Sequence, residues 1–96
     1  MQRDEVLAVV RANQEQLQQL GVKSLELFGS VARDRAKPDS DVDFLVDFSR
    51  PVGLFGLFCI QHYLEGILEC SVDLGTVKDL REHLREPILQ EAIRVF

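Results

Sequence analysis

Asp41 and Asp43 stand two residues apart in DVDFLVDF, a stretch in which apolar residues alternate with acids. In an extended strand such a pair projects from one face, so two carboxylates would stand side by side and share hard divalent cations through oxygen, Mg²⁺ being the natural choice. A DxD also has plainer uses, as a solvated strand face or an Asx turn. Asp73 lies between Val72 and Leu74 in SVDLGT, an acid inside an apolar, strand-like run. Lone acids in such runs are unusual where the strand has no use for them. If that strand neighbours the one carrying Asp41, three carboxylates cluster, repelling one another when empty and stabilised when two metal ions and a triphosphate enter. Gly29-Ser30 ends an earlier apolar run. Gly lets a ligand approach the backbone, the free amides of a following helix favour phosphate, Ser30 adds a hydroxyl, and Arg33, one turn on, is within reach of a phosphate oxygen. The same dipeptide is also a common helix cap.

Other chemistries fail on spacing. Asp39, Asp41 and Asp43 imitate the opening of a calcium-binding EF-hand loop, but Phe44 and Arg50 occupy the positions that need Gly and Glu. Neither GxxxxGKS/T nor GxGxxG occurs, which removes the P-loop and the dinucleotide fingerprint. Cys59 and Cys70 lack the CxxC spacing of a zinc or redox pair and read as small core residues. His62 and His83, among charged residues on expected helices, read as surface histidines. Asp47 shares the face of Asp41 and Asp43 but falls near the strand's far end, so solvation is its expected fate. Asp39 and Ser40 are turn residues that shape the loop entering the strand.

The elements that must position these groups follow from periodicity. From Asp4 to Leu20 apolar residues recur at helical spacing, and Gly21 stands where such a helix ends. VKSLELF, Val22 to Phe28, reads as a strand; VARDRA continues as a short helix, and KPDS is a loop. In DVDFLVDF, Val42, Phe44, Val46 and Phe48 face one way and Asp41, Asp43, Leu45 and Asp47 the other. Leu54 to Glu69 is expected to be helical, with more apolar residues than one face needs. Most of that excess is expected in the core, the remainder forming an exposed patch for a partner or a second copy of the chain. SVDLGT is a third strand, and VKDLREHL with PILQEAIRVF forms one or two terminal helices. This order gives an α/β (α+β) arrangement, a small sheet packed by helices.

The totals narrow the function. With 96 residues, 1–96 is expected to be a single domain without a substrate domain of its own, so a bulky acceptor would sit on another chain. Sixteen acids against 11 basic residues, net charge −5, argue against gripping a nucleic-acid backbone by charge. MQRDEVLAVV holds no signal-like or membrane-spanning run, so a cytoplasmic location is expected.

GSVARDRAKPDSDVDFLVDF resembles the G-S-x-A-R…S-D-x-D signature of the polymerase β-like nucleotidyltransferase superfamily. With VDLGT and REPILQEAIRVF, the short chain is similar to the minimal nucleotidyltransferase (MNT) family in particular. Each element is weak alone, and the ordered set is specific. The resemblance implies the minimal nucleotidyltransferase fold, with a small mixed sheet, and transfer of a nucleotidyl group from ATP to a hydroxyl. It implies Asp41, Asp43 and Asp73 as catalytic residues holding two Mg²⁺ ions, with Asp73 orienting or deprotonating the nucleophile. Gly29 and Ser30 would bind the β and γ phosphates, with Arg33 assigned to the nucleotide. Where the family carries Gly after the Arg, this chain has Asp34, which bears on the turn after the short helix and not on the metal site. The family further implies a HEPN-domain toxin as partner, with AMP placed on a tyrosine of that ribonuclease and this chain as the antitoxin. Two alternatives stay open: an antitoxin that neutralises by contact alone, and a small-molecule nucleotidyltransferase of the aminoglycoside type.

Overall fold

The computed structural model describes residues 2–29, 41–76 and 90–96. The first amphipathic run forms two helices, α1 (Arg3–Ala12) and α2 (Gln14–Gln19), where one was expected. Asn13 makes the break. Its carboxamide donates to the Val9 carbonyl (2.8 Å) and accepts from the Tyr63 hydroxyl (2.9 Å), and such side-chain bonds compete with the helical ladder. Gly21 follows α2 at φ +105°, a left-handed position where an L side chain is strained. Its carbonyl accepts from the Ser49 amide (2.9 Å), tying the entry of the first strand to the end of the second.

Strands β1 (Val22–Phe28), β2 (Val42–Phe48), β3 (Val72–Thr76) and β4 (Ile93–Arg94) form one mixed sheet in the order β3-β2-β1-β4. β1 runs antiparallel to β2 and β4, and β2 runs parallel to β3. The parallel pair needs a crossover, which α3 (Leu54–Leu68) supplies. α3 ends at Glu69 in a left-handed conformation (φ 55°) that turns the chain toward β3.

One side of the sheet carries the core. Val42, Phe44 and Val46 of β2, Leu25 and Leu27 of β1 and Val72 of β3 meet Val6 and Val10 of α1, Leu17 of α2 and Ile60, Leu64 and Leu68 of α3. These last three, at i, i+4 and i+8, form the single stripe that α3 buries. Leu54, Phe55 and Phe58 fall off that stripe and are 69%, 80% and 57% exposed, so the apolar excess of the helix is surface at its N-terminal half. Cys59 is exposed for the same reason, contrary to the core position expected for it, and Cys70 is half-buried against the core.

Two further expectations are corrected. The C-terminal segment does not continue as a helix: Gln90 and Glu91 are helical, but Ile93–Arg94 pair with β1 as β4. Alternation explains it, because Val95 is buried while Arg94 is exposed, a period of two that suits a strand. Arg11 of α1 fastens the segment, its guanidinium donating to the carbonyls of Val95 (2.9 Å) and Arg94 (3.3 Å). Leu45 stands on the acid-bearing face as expected, yet it is only 2% exposed. The short helix over VARDRA, the KPDS loop, His83 and the terminal helix over VKDLREHL lie outside the described residues.

Candidate active site

The sheet register builds a corner of carboxylates on the face away from the core helices. Asp43 and Asp73 are direct partners across the parallel β2–β3 pair, so both side chains leave the same face, with Cα atoms about 4.8 Å apart. Asp41 lies one residue before β2 and two before Asp43, about 6.6 Å along the strand on the same face. Asp43, at the angle of the corner, is half-buried, and Asp41 and Asp73 are exposed. Burial raises the Asp43 carboxyl above its ordinary range, and the charges of Asp73 and then Asp41 add to the rise.

The antiparallel β1–β2 pair closes the third side. Phe28 is opposite Asp43, which leaves Gly29 beside that carboxylate at φ +79°. A Cβ at Gly29 would strike Oδ2 of Asp43. Two constraints therefore demand glycine here, the left-handed backbone and the closeness of the acid. Ser30 and Arg33, the other two residues expected to meet the nucleotide, lie outside the described residues, as do Asp39, Ser40 and Asp34. Asp47 is exposed at the far end of β2, its Oδ1 accepting from the Phe48 amide (3.0 Å), and His62 is exposed on α3. Both fit the solvated roles expected of them.

The corner suits a hard cation in charge and donor type. All three groups are carboxylates, and among the described residues no Lys or Arg forms an ion pair with any of them. A negative corner with no counter-charge among the described residues is relieved by a cation with oxygen ligands. Among the described residues no three acids, histidines or thiols already close around a single point.

Sequence reasoning missed Gln61 and Glu65. These α3 residues reach the outer edge of β3: Gln61 Nε2 donates to the Val72 carbonyl (2.9 Å), and Val72 N–H donates to Glu65 Oε2 (3.3 Å). The available signal was a polar i, i+4 pair in a largely apolar helix.

Comparisons with known proteins bear on the family and the fold. The model of the nucleotidyltransferase domain family matches residues 9–95. A protein adenylyltransferase, MntA, from Thermococcus cleftensis is 34% identical over 93 residues, covering 96% of this chain and 94% of that protein. Among solved structures, a candidate minimal nucleotidyltransferase superposes with TM-score 0.84 at 35% identity, covering 97% of this chain and 95% of its own. A complex of a tri-AMPylated Shewanella oneidensis HEPN toxin with an MNT antitoxin contains a chain of the same fold. That match has TM-score 0.66 at 15% identity and covers 94% of this chain and 71% of that one. Among the described residues no helix is long and apolar enough to cross a membrane. The chain thus belongs to the nucleotidyltransferase family, in its minimal form.

Proposed function

We propose that this chain is an MNT-type antitoxin that transfers AMP from ATP to a tyrosine of a partner HEPN ribonuclease toxin in the cytoplasm. The observation that carries this reading is the register of Asp43 with Asp73 beside Gly29. The similarity to a protein adenylyltransferase over nearly the whole chain supports a protein acceptor. The AMPylated HEPN toxin in a complex that holds the same fold supports the kind of partner.

Asp41, Asp43 and Asp73 would hold Mg²⁺, and two such ions would neutralise the triphosphate and acidify the attacking hydroxyl. Gly29 and Ser30 hold the β and γ phosphates, and Arg33 a phosphate oxygen, which fixes the line of attack. Asp73, exposed on the edge strand, faces the acceptor and takes the tyrosine proton on a carboxylate oxygen. The tyrosine oxygen bonds to the α phosphorus, the bond from that phosphorus to the bridging oxygen breaks, and pyrophosphate leaves with the electron pair. Within 1–96 the chain acts as one catalytic unit and takes its acceptor from another molecule rather than from nucleic acid. The exposed Leu54, Phe55 and Phe58 at the start of α3 offer the face for that hetero-complex or for a second copy.

The test is incubation of the purified chain with its HEPN partner, Mg²⁺ and α-labelled ATP. Label on a partner tyrosine is expected, and an unlabelled partner with the wild-type chain defeats the proposal. The same exposed patch favours a second reading, neutralisation by contact alone. Under it, the double variant Asp41→Ala, Asp43→Ala still protects cells from the toxin; under the enzymatic reading it does not.

A further inference from the structure

We infer that Gln61 and Glu65 are positioning residues for Asp73, a clip by which α3 fixes the acid corner. Asp73 rides on the edge strand of the described sheet, paired on one side only. In a parallel ladder alternate residues direct both backbone groups to the same neighbour. Val42 takes the inward bonds here, its amide donating to the Ser71 carbonyl (3.0 Å), so the N–H and C=O of Val72 point outward. The clip meets both of them, Gln61 on the carbonyl and Glu65 on the amide. It therefore grips the residue immediately before Asp73 from the side that β2 does not hold.

The anchor of the clip is rigid. α3 is held to the sheet by buried Ile60, Leu64 and Leu68, and to α1 and α2 through the Tyr63 hydroxyl on Asn13. Gln61 and Glu65, one helical turn apart, carry that rigidity to a five-residue strand. Asp43 needs no such help, since β2 is paired on both sides. The clip thus sets the distance between two carboxylates that come from different strands, on which sharing of an ion depends.

The inference rests on the reading of Asp73 as a metal-holding residue, and the experiment separates the two. Mn²⁺ binding to the full chain is followed by electron paramagnetic resonance, alongside hydrogen exchange of the Val72 amide and AMP transfer. Gln61→Ala and Glu65→Ala are each expected to weaken Mn²⁺ binding and slow transfer by about tenfold, with the KM for ATP little changed. Glu65→Gln keeps an acceptor for the Val72 amide and should retain wild-type binding. Gln61→Glu, nearly the same shape, cannot donate and should behave like Gln61→Ala even where the alanine variants fold poorly. If Val72 exchange quickens in the clip variants while Mn²⁺ affinity stays at the wild-type value and Asp73→Asn loses it, the clip is wrong and the site reading survives. If Asp73→Asn itself binds Mn²⁺ like the wild type, both fall.

Discussion

Replacing Asp43 by Asn should make the ion-free protein more stable while abolishing its chemistry. The side chain keeps its shape, and the substitution removes a charge that is half-buried and flanked by Asp73 and Asp41. Two unit charges at the spacing of neighbouring strands, about 4.8 Å, repel by about 0.9 kcal/mol in water and about 3.5 kcal/mol at a dielectric of 20. Asp73 is exposed, so solvent screening brings the repulsion toward the lower figure, about 1 kcal/mol. In a chain of this size that corresponds to a rise in Tm of about 4–8 °C. The pH dependence carries the same sign. The folded carboxyl titrates above the unfolded value of about 3.9, so between those two points the folded protein binds more protons than the unfolded chain. The stability associated with this group is therefore complete below about pH 3.9 and declines as pH rises through the folded-state pKa. The Asp43→Asn variant lacks that decline, and its advantage should disappear in acid. Thermal melts of both proteins between pH 3 and 8, in chelator and then in excess Mg²⁺, measure the effect. Mg²⁺ should raise the wild-type Tm and leave the variant nearly unmoved. A variant that melts at or below the wild-type temperature at pH 7 in chelator would refute the reasoning.

Gly29→Ala should fold, because the Asp43 carboxylate can swing away from the new Cβ, but it places an L residue at φ +79°. A loss of about 1–2 kcal/mol in denaturant titration is expected, with AMP transfer falling about a hundredfold as the acid is displaced by an ångström or so. Tyr63→Phe deletes the 2.9 Å bond to Asn13 and should cost about 1 kcal/mol in the same titration without changing the KM for ATP. The double variant Phe55→Ser, Phe58→Ser alters residues that are 80% and 57% exposed, so its stability should stay within about 0.5 kcal/mol of wild type. Calorimetry with the HEPN partner should nonetheless show binding weakened more than tenfold, and unchanged binding would remove that face of α3 from the interface.

Local pattern was enough to read β1, β2 and β3, because their apolar runs place Leu25, Leu27, Val42, Phe44, Val46 and Val72 in the core. The acid corner was legible for the same reason: a period of two puts Asp41 and Asp43 on one face, and a second apolar run carrying Asp73 finds its place beside them in the sheet. Tertiary partners decided what was missed. Asn13 splits the first helix because Tyr63, fifty positions away, engages its carboxamide. Ile93–Arg94 looked helical in isolation and became a strand because β1 had a free edge. Leu45 sits among acids and is buried all the same. Gln61 and Glu65 look like ordinary helix polarity until Val72 is placed against them.

The Arg11 contact with the Val95 carbonyl joins residues 84 positions apart, and β1 gains its outer neighbour only when β4 arrives. During synthesis at about 5–20 residues per second, the first helix waits roughly 4–17 s for that partner. Through this interval a newly made β1 exposes a bare edge, the kind of surface that recruits strands from other molecules. The excess of acidic residues keeps such nascent chains apart by mutual repulsion. Yield in the cell should accordingly suffer more from weakening Arg11 or Ile93 than the folded protein's melting point suggests.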